Sequence, residues 1–320
     1  MRSTEAVARL DCASGSVRSA VAGVLEDGPH ATASTTTHAT PTTGCLLRWC
    51  PVGRVMSRTH REAGRLTSQP HGGIVSRRAR LRIPTRTPYY SAVAAIFPAD
   101  ALLTSPTRAA QRLLGAVLVH RTHDGTTSGI IVETEAYCET DPASHTFAGR
   151  TERNQIMFGR AGHAYVYFTY GIHWCFNVVT GEDGRGEAVL VRALQPLKGL
   201  ALMAGRRDIQ LPSESTARLL RRAEREPRVR KALISLASGP AKLTQAMGLG
   251  GEAYGLDLVT PRGALRLLAP ETPVPTRSIV ASPRIGIRRA TDKHWRFQIA
   301  GNPYVSRPSR VGRVSPEPQR

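Results

Sequence analysis

Apolar residues recur at regular helix and strand spacings only between about residues 90 and 305, and this confinement limits the chain to one folded unit. A core forms where apolar side chains return repeatedly to one face, and roughly two hundred residues of such pattern are ample for a sizeable one. Before that stretch, Ser, Thr, Gly, Pro and Arg interrupt every apolar run. The run TASTTTHATPTTG at 32–44 is of low complexity, and Arg77, Arg78, Arg80 and Arg82 belong to a dense basic scatter. The expected organisation is a disordered basic low-complexity extension over 1–90, a folded domain over 91–306 and a flexible tail over 307–320. The extension reads as a basic arm for nucleic acid, as a dispensable addition, or as a start set too early with Met56 a later alternative.

The folded part is expected to open with a helix, because Ser105 is a good N-cap, Pro106 suits the first helical position and Gly115 falls where a C-terminal cap belongs. Strands at 116–120 and 129–137 follow, separated by a turn-like 123–128. Segments 165–168 and 172–179 flank Thr169, Tyr170 and Gly171, the pattern of a β-hairpin with a tyrosine at its tip. A strand at 188–194, a basic helical stretch over 213–236 broken by Pro227, a short helix over 238–247 capped by Ser238, and strands at 284–287 and 295–299 complete the series. Helices and strands that do not alternate as βαβ units predict an α+β domain with a mainly antiparallel sheet.

The formal net charge of +20 makes a polyanion the obvious partner. Almost all of the positive charge is arginine, with Lys198, Lys231, Lys242 and Lys293 the only lysines, so the figure also fits a protein that is merely arginine-rich. Cys12, Cys45, Cys50, Cys138 and Cys175 form no CxxC pair, and the histidines form neither HExxH nor HxE followed by CxxC. Reduced thiols, no metal and no other cofactor are expected. No apolar stretch is long enough to cross a bilayer, and no apolar leader with a cleavage site opens the chain. The expected setting is cytoplasmic and nucleoid-associated, without a membrane partner. A first segment rich in Arg, Ser and Thr and poor in acids also suits an organelle transit peptide, which leaves organelle targeting open.

On a strand, Glu133, Glu135 and Tyr137 of IVETEAY share one face, since successive side chains point to opposite sides. A carboxylate beside an aromatic ring in a cleft suits a general base, although a solvated sheet face produces the same alternation. Tyr165 and Tyr167 share a face of the next strand, Tyr170 is at the turn, and His173, Trp174 and Phe176 follow closely, a concentration in a chain with 5% aromatics. Aromatic residues pack well on sheets, but packing does not explain a tyrosine at a hairpin tip. Aromatic walls, a wedge and a carboxylate are the parts a base-flipping enzyme needs.

The segments IVETEAYCETDPASH, FGRAGHAYVYFTYGIHWCFNVVT, LVRALQPLKG, SGPAKLTQAMGL, and PRIGI with WRFQIAGNPYVS resemble, in that order, the landmarks of the 3-methyladenine (alkyladenine) DNA glycosylase family. The likeness runs from about Phe97 to Ser306. It implies a single domain with a curved antiparallel sheet, surrounding helices and a hairpin that protrudes into the minor groove. It further implies base excision repair by a monofunctional hydrolase that flips alkylated or deaminated purines, of the 3-methyladenine and hypoxanthine class, out of duplex DNA and breaks the N-glycosidic bond with a Glu-activated water. Position by position, Glu135 matches the general base, Tyr137, His145 and Tyr167 the side chains enclosing the base, and Tyr170 the intercalating residue. Asn177 matches the pocket residue that crowds the exocyclic amine of guanine, and Arg192 a residue beside the catalytic water.

No lysine lies near Glu135 or the hairpin in sequence, Lys198 being nearest, so a Schiff-base step is not expected. Arg206, Arg207, Arg218, Arg221, Arg222 and Lys242 are candidate phosphate contacts on duplex DNA, and a monomer is expected. Two other readings use the same residues: a noncatalytic binder of distorted DNA, and an RNA-binding module in which Tyr165, Tyr167 and Tyr170 stack single-stranded bases.

Overall fold

A computed structural model describes residues 95–308. The extension expected over 1–90, and residues 309–320 of the expected tail, lie outside the described residues. Among the described residues five α-helices are found, α1 (Pro106–Arg112), α2 (Leu200–Arg206), α3 (Thr216–Arg225), α4 (Pro227–Ala237) and α5 (Pro240–Met247). The strands are β1 (Val117–Thr122), β2 (Gly125–Tyr137), β3 (Ala164–Thr169), β4 (His173–Val179), β5 (Ala188–Lys198), β6 (Leu265–Leu268), β7 (Ile279–Ser282) and β8 (Arg296–Ile299). They form one sheet in the order β3-β4-β5-β2-β1-β6, with β8 pairing both β2 and β7. Every pairing is antiparallel, as expected of an α+β domain.

The 13-residue β2 is the spine of the sheet. On one side it pairs with β5, while on the other its first half meets β1 and Glu133–Glu135 meet β8. Leu200, Met203, Leu219, Leu233, Leu243 and Met247 of the helices are buried in one core with Ile131, Val132 and Leu194 of these central strands. Neighbours on both edges and a buried core leave β2 almost wholly enclosed, so a charge on it must find a partner inside the protein. The register of β2 against β5 slips around Ile131, Glu133 and Thr134, leaving Arg192 without an opposite residue. Such a bulge re-aims the extra side chain, here the one that reaches both glutamates.

Several elements differ from expectation for identifiable reasons. Residues 125–128 are strand rather than turn, because Thr127 and Ser128 are buried and pair with β1, leaving only His123 and Asp124 as the hairpin loop. Tertiary packing there overrides the turn tendency of Gly, Thr and Ser. Residues 284–287 form a loop rather than a strand: Arg284 turns its side chain into the protein and Ile285 gives its N–H to a side-chain carboxylate. The N-cap of α5 is Gly239, since Ser238 is drawn into a β-bridge with Ala193. Helix α2 and strands β6 and β7 were not apparent in the sequence pattern. No helix among the described residues is long and apolar enough to cross a membrane.

Candidate active site

Glu133 and Glu135 are both fully buried and both face Arg192, yet their environments differ. Glu133 Oε1 accepts from Arg192 Nε at 3.0 Å, Arg296 Nη1 at 2.9 Å and Ser306 Oγ at 2.9 Å, while its Oε2 accepts from Ser306 N at 2.6 Å. It ties β2, β5, β8 and the chain beyond β8 together. Glu135 Oε1 accepts from Ile285 N at 2.8 Å and stands 3.1 Å from Arg192 Nη1, and its Oε2 accepts from Tyr137 Oη at 2.8 Å. Burial works against the charge of Arg192, but Glu135 and Glu133 outweigh it and hold its pKa above the usual arginine value. Burial, reinforced by Glu135, pushes the Tyr137 hydroxyl well above the ordinary tyrosine range, so it stays a donor.

The three groups that hold Glu135, namely Tyr137, Arg192 and Ile285, line a cavity of about 580 Å³. The carboxylate therefore lies directly behind its wall. His145, Tyr165, Tyr167 and Asn177 line it too, so the expected base-enclosing residues come together in one place. The His145 ring meets Tyr167 edge-on at 4.5 Å between centroids, and Tyr165 and Tyr167 lie 5.4 Å apart with nearly parallel rings. Tyr165 Oη is 2.8 Å from His145 Nδ1, and Asn154 Nδ2 donates to the His145 carbonyl at 2.8 Å. Partial burial of the ring, with the Arg153 guanidinium nearby, holds the His145 pKa below its usual value and the imidazole neutral. Burial pushes the Tyr165 hydroxyl up to about 12 and raises Tyr167 and Cys175 as well. Asn177, opposite Tyr165 in the hairpin register, donates from Nδ2 to the Tyr165 carbonyl at 3.0 Å.

Tyr170 lies at the tip of the β3–β4 hairpin, at the mouth of the same cavity, and is 82% exposed. The turn is closed by Ile172 N donating to Thr169 O at 3.0 Å, and its central residues Tyr170 and Gly171 have φ of 52° and 64°. Glycine adopts that conformation freely; a tyrosine is held there at a cost.

Sequence reasoning missed the wall formed by residues 285–289, having read 284–287 as a strand. Ile285, Gly286, Ile287, Arg288 and Arg289 line the cavity. Behind them, the buried Arg284 pairs with Asp141, donates to Ala136 O at 2.9 Å and lies 4.6 Å over the Tyr137 ring. Apolar periodicity carries no sign of a loop pinned by side chains; only the PRIGI landmark drew attention to it. Lys293, distant in sequence, approaches the same cluster, 4.2 Å over the Trp295 ring and 3.9 Å from Asp141.

The expected phosphate contacts are not gathered at the cavity. Arg206 reaches Thr122 Oγ1 at 3.2 Å and Ala246 O at 3.3 Å and pairs with Asp124 at 3.5 Å. That is the Gly125 end of β2, ten residues from Glu135 and so roughly 30 Å away along the strand. Arg207 gives Nη1 to Gln245 and is partly desolvated, which lowers its pKa. Arg222 pairs with Glu214 and Glu226 beside Arg218 and Arg221 on α3. Lys242 alone stays close, two residues past the cavity-lining Pro240.

A carboxylate held by a guanidinium behind the wall of an aromatic cavity, with an exposed ring at its mouth, suits a hydrolase that cleaves a glycosidic bond to an aromatic base. Residues 100–303, more than half of the chain, match the family model described as methylpurine-DNA glycosylase, and the chain belongs to that family. It is similar to three proteins each named "Putative 3-methyladenine DNA glycosylase". That of Methanoculleus marisnigri is 47% identical over 62% of this chain and 92% of its own length. Those of Burkholderia cenocepacia and Carboxydothermus hydrogenoformans are 46% and 43% identical, over 62% of this chain and 86% and 92% of theirs. The protein is thus a DNA glycosylase, a hydrolase of N-glycosidic bonds in DNA that serves base excision repair.

Proposed function

We propose that this glycosylase acts as a monomer that extrudes an alkylated or deaminated purine, of the 3-methyladenine and hypoxanthine class, from duplex DNA into the cavity and releases it with a water activated by Glu135. The observation that carries the reading is the position of Glu135 behind Tyr137, Arg192 and Ile285, at the wall of a space enclosed by aromatic rings. A carboxylate has about four acceptor sites, and three donors already occupy those of Glu135. One acceptor site, on Oε2, is left for a water.

Extrusion costs a few kcal/mol of stacking and pairing, less for a damaged or mispaired base. Stacking against Tyr137, Tyr167 and His145 returns about 1–3 kcal/mol per base, and a cationic purine gains about 0.5–2 kcal/mol more from the rings. Tyr170 fills the gap in the duplex, and Asn177 crowds the exocyclic amine of guanine. As the C1′–N bond breaks, its electron pair leaves with the purine, which is cationic or protonated, and the Glu135 charge stabilises the developing sugar cation; the carboxylate then takes a proton from the water whose oxygen bonds to C1′. Arg192 holds the carboxylate in place.

Lys198 pairs with Ser128, at the opposite end of β2 from Glu135, Lys293 is held by Asp141 and Trp295, and Lys242, though close, is not among the residues that line the cavity. A cavity lined by no lysine among the described residues favours a monofunctional enzyme. The test is base release from duplexes carrying one 3-methyladenine or one hypoxanthine, with an abasic site and intact strand as products. Binding without release supports a noncatalytic binder, and preference for single strands supports the RNA-type module.

A further inference from the structure

We propose that Arg288 and Arg289 form a phosphodiester-binding pair at the mouth of the cavity, gripping the backbone of the strand whose base is extruded. The inference rests on the reading that a base enters the cavity. The other arginines at or just behind the cavity wall are committed to the protein. Arg192 is bound by Glu133 and Glu135, Arg284 by Asp141 and Arg296 by Glu133. Arg153 donates to Phe168 O at 3.2 Å and lies over the Tyr167 ring. Arg288 and Arg289 differ from these: both line the cavity, both are exposed, and neither has an ion pair or side-chain hydrogen bond among the described residues.

Their loop is fixed at both ends. Arg284 holds Ala136 O, Asp141 and, through Nη2 at 3.4 Å, the carbonyl of Ala290, while Ile285 N is held by Glu135. Two adjacent guanidiniums displayed on a pinned loop repel each other until an anion lies between them, and little entropy is lost when it arrives. Phosphate is the anion their geometry suits, since the planar fork donates in pairs to its oxygens. A base seated among Tyr137, Tyr167 and His145 brings its own flanking phosphates to this rim. Of the phosphate contacts expected from the sequence, Arg206 and Arg207 have partners on the protein away from the cavity, whereas Arg288 and Arg289 stand at its rim.

The experiment measures affinity for a labelled duplex carrying one stable abasic-site analogue, and for the undamaged duplex, between about 50 and 200 mM salt. The proteins are the wild type, the R288A/R289A pair and the R288K/R289K pair. Removing one arginine–phosphate interaction lessens the slope of log K against log salt by about 0.9, so the alanine pair is expected to give up about 1.8 of the slope on the abasic duplex and to weaken its binding at least as much as that of the undamaged duplex. The lysine pair restores the slope. An unchanged slope on the abasic duplex in the alanine pair, or a weakening confined to the undamaged duplex, overturns the proposal. Base release by the wild type is scored separately: a slope change without any release sinks the excision reading and leaves the phosphate pair standing.

Discussion

Glu133 and Glu135 stand two residues apart on one strand and share a single guanidinium, Arg192, at 3.0 and 3.1 Å. Four hydrogen bonds saturate Glu133, whereas Glu135 accepts two, faces Arg192, and lies behind the cavity wall. The same residue type on the same face therefore has two environments, one that joins strands and one that, under the proposed reading, serves the chemistry.

Glu135→Gln keeps the shape and an acceptor for Ile285 N but removes the base. Single-turnover release of hypoxanthine is expected to fall by about 10²–10⁴-fold, the usual contribution of a positioned general base, while affinity for the damaged duplex stays within a few fold. Release at the wild-type rate would show that another group activates the water.

Glu133→Gln has the opposite signature. It leaves Arg296 and Arg192 buried without their shared negative partner, and breaking such a buried pair costs about 3–5 kcal/mol. Denaturant unfolding should show that loss. A variant of wild-type stability with no activity would exchange the roles of the two glutamates.

How much of this was legible beforehand follows from what each residue depends on. The strand alternation put Glu133, Glu135 and Tyr137 on one face, and the turn signal put Tyr170 at a hairpin tip; both are local rules, and both hold in the structure. The division of labour between the glutamates was not legible, because it depends on Arg296 and Ser306, more than 160 positions along the chain from Glu133. The loop at 284–287 was misread because its conformation is set by Asp141 and Glu135, not by its own spacing. That the Arg206 and Arg207 side chains meet partners on the protein was not legible either, because a charge in sequence does not say which way it faces.

His145 sets a pH dependence whose sign is fixed. Partial burial and Arg153 hold its folded pKa below the unfolded value of about 6.5. Below that pH the unfolded chain binds more protons at this site than the folded one, so its contribution destabilises the fold as pH falls. The ring is open to solvent on one side, which keeps the effect modest. Thermal unfolding followed from about pH 7 down to about pH 5 should decline less steeply for His145→Gln than for the wild type. Parallel curves would show that His145 titrates alike in both states.

Tyr170 carries a conformational cost that only function explains. Its φ of 52° is one that a side chain with a Cβ adopts at an expense of about 1–2 kcal/mol, and at 82% exposure its ring gains little from packing. Tyr170→Gly removes that expense, offset in part by the greater freedom glycine gives the unfolded chain, so stability is expected to hold or rise by up to about 1 kcal/mol. Base release from duplex DNA should nevertheless drop, because nothing then fills the space the base vacates, and release from single strands should drop less. A variant that is less stable but excises normally would make the ring a packing element. A variant that is more stable but loses duplex activity would mean that the hairpin stores strain in order to hold an aromatic ring out toward the DNA.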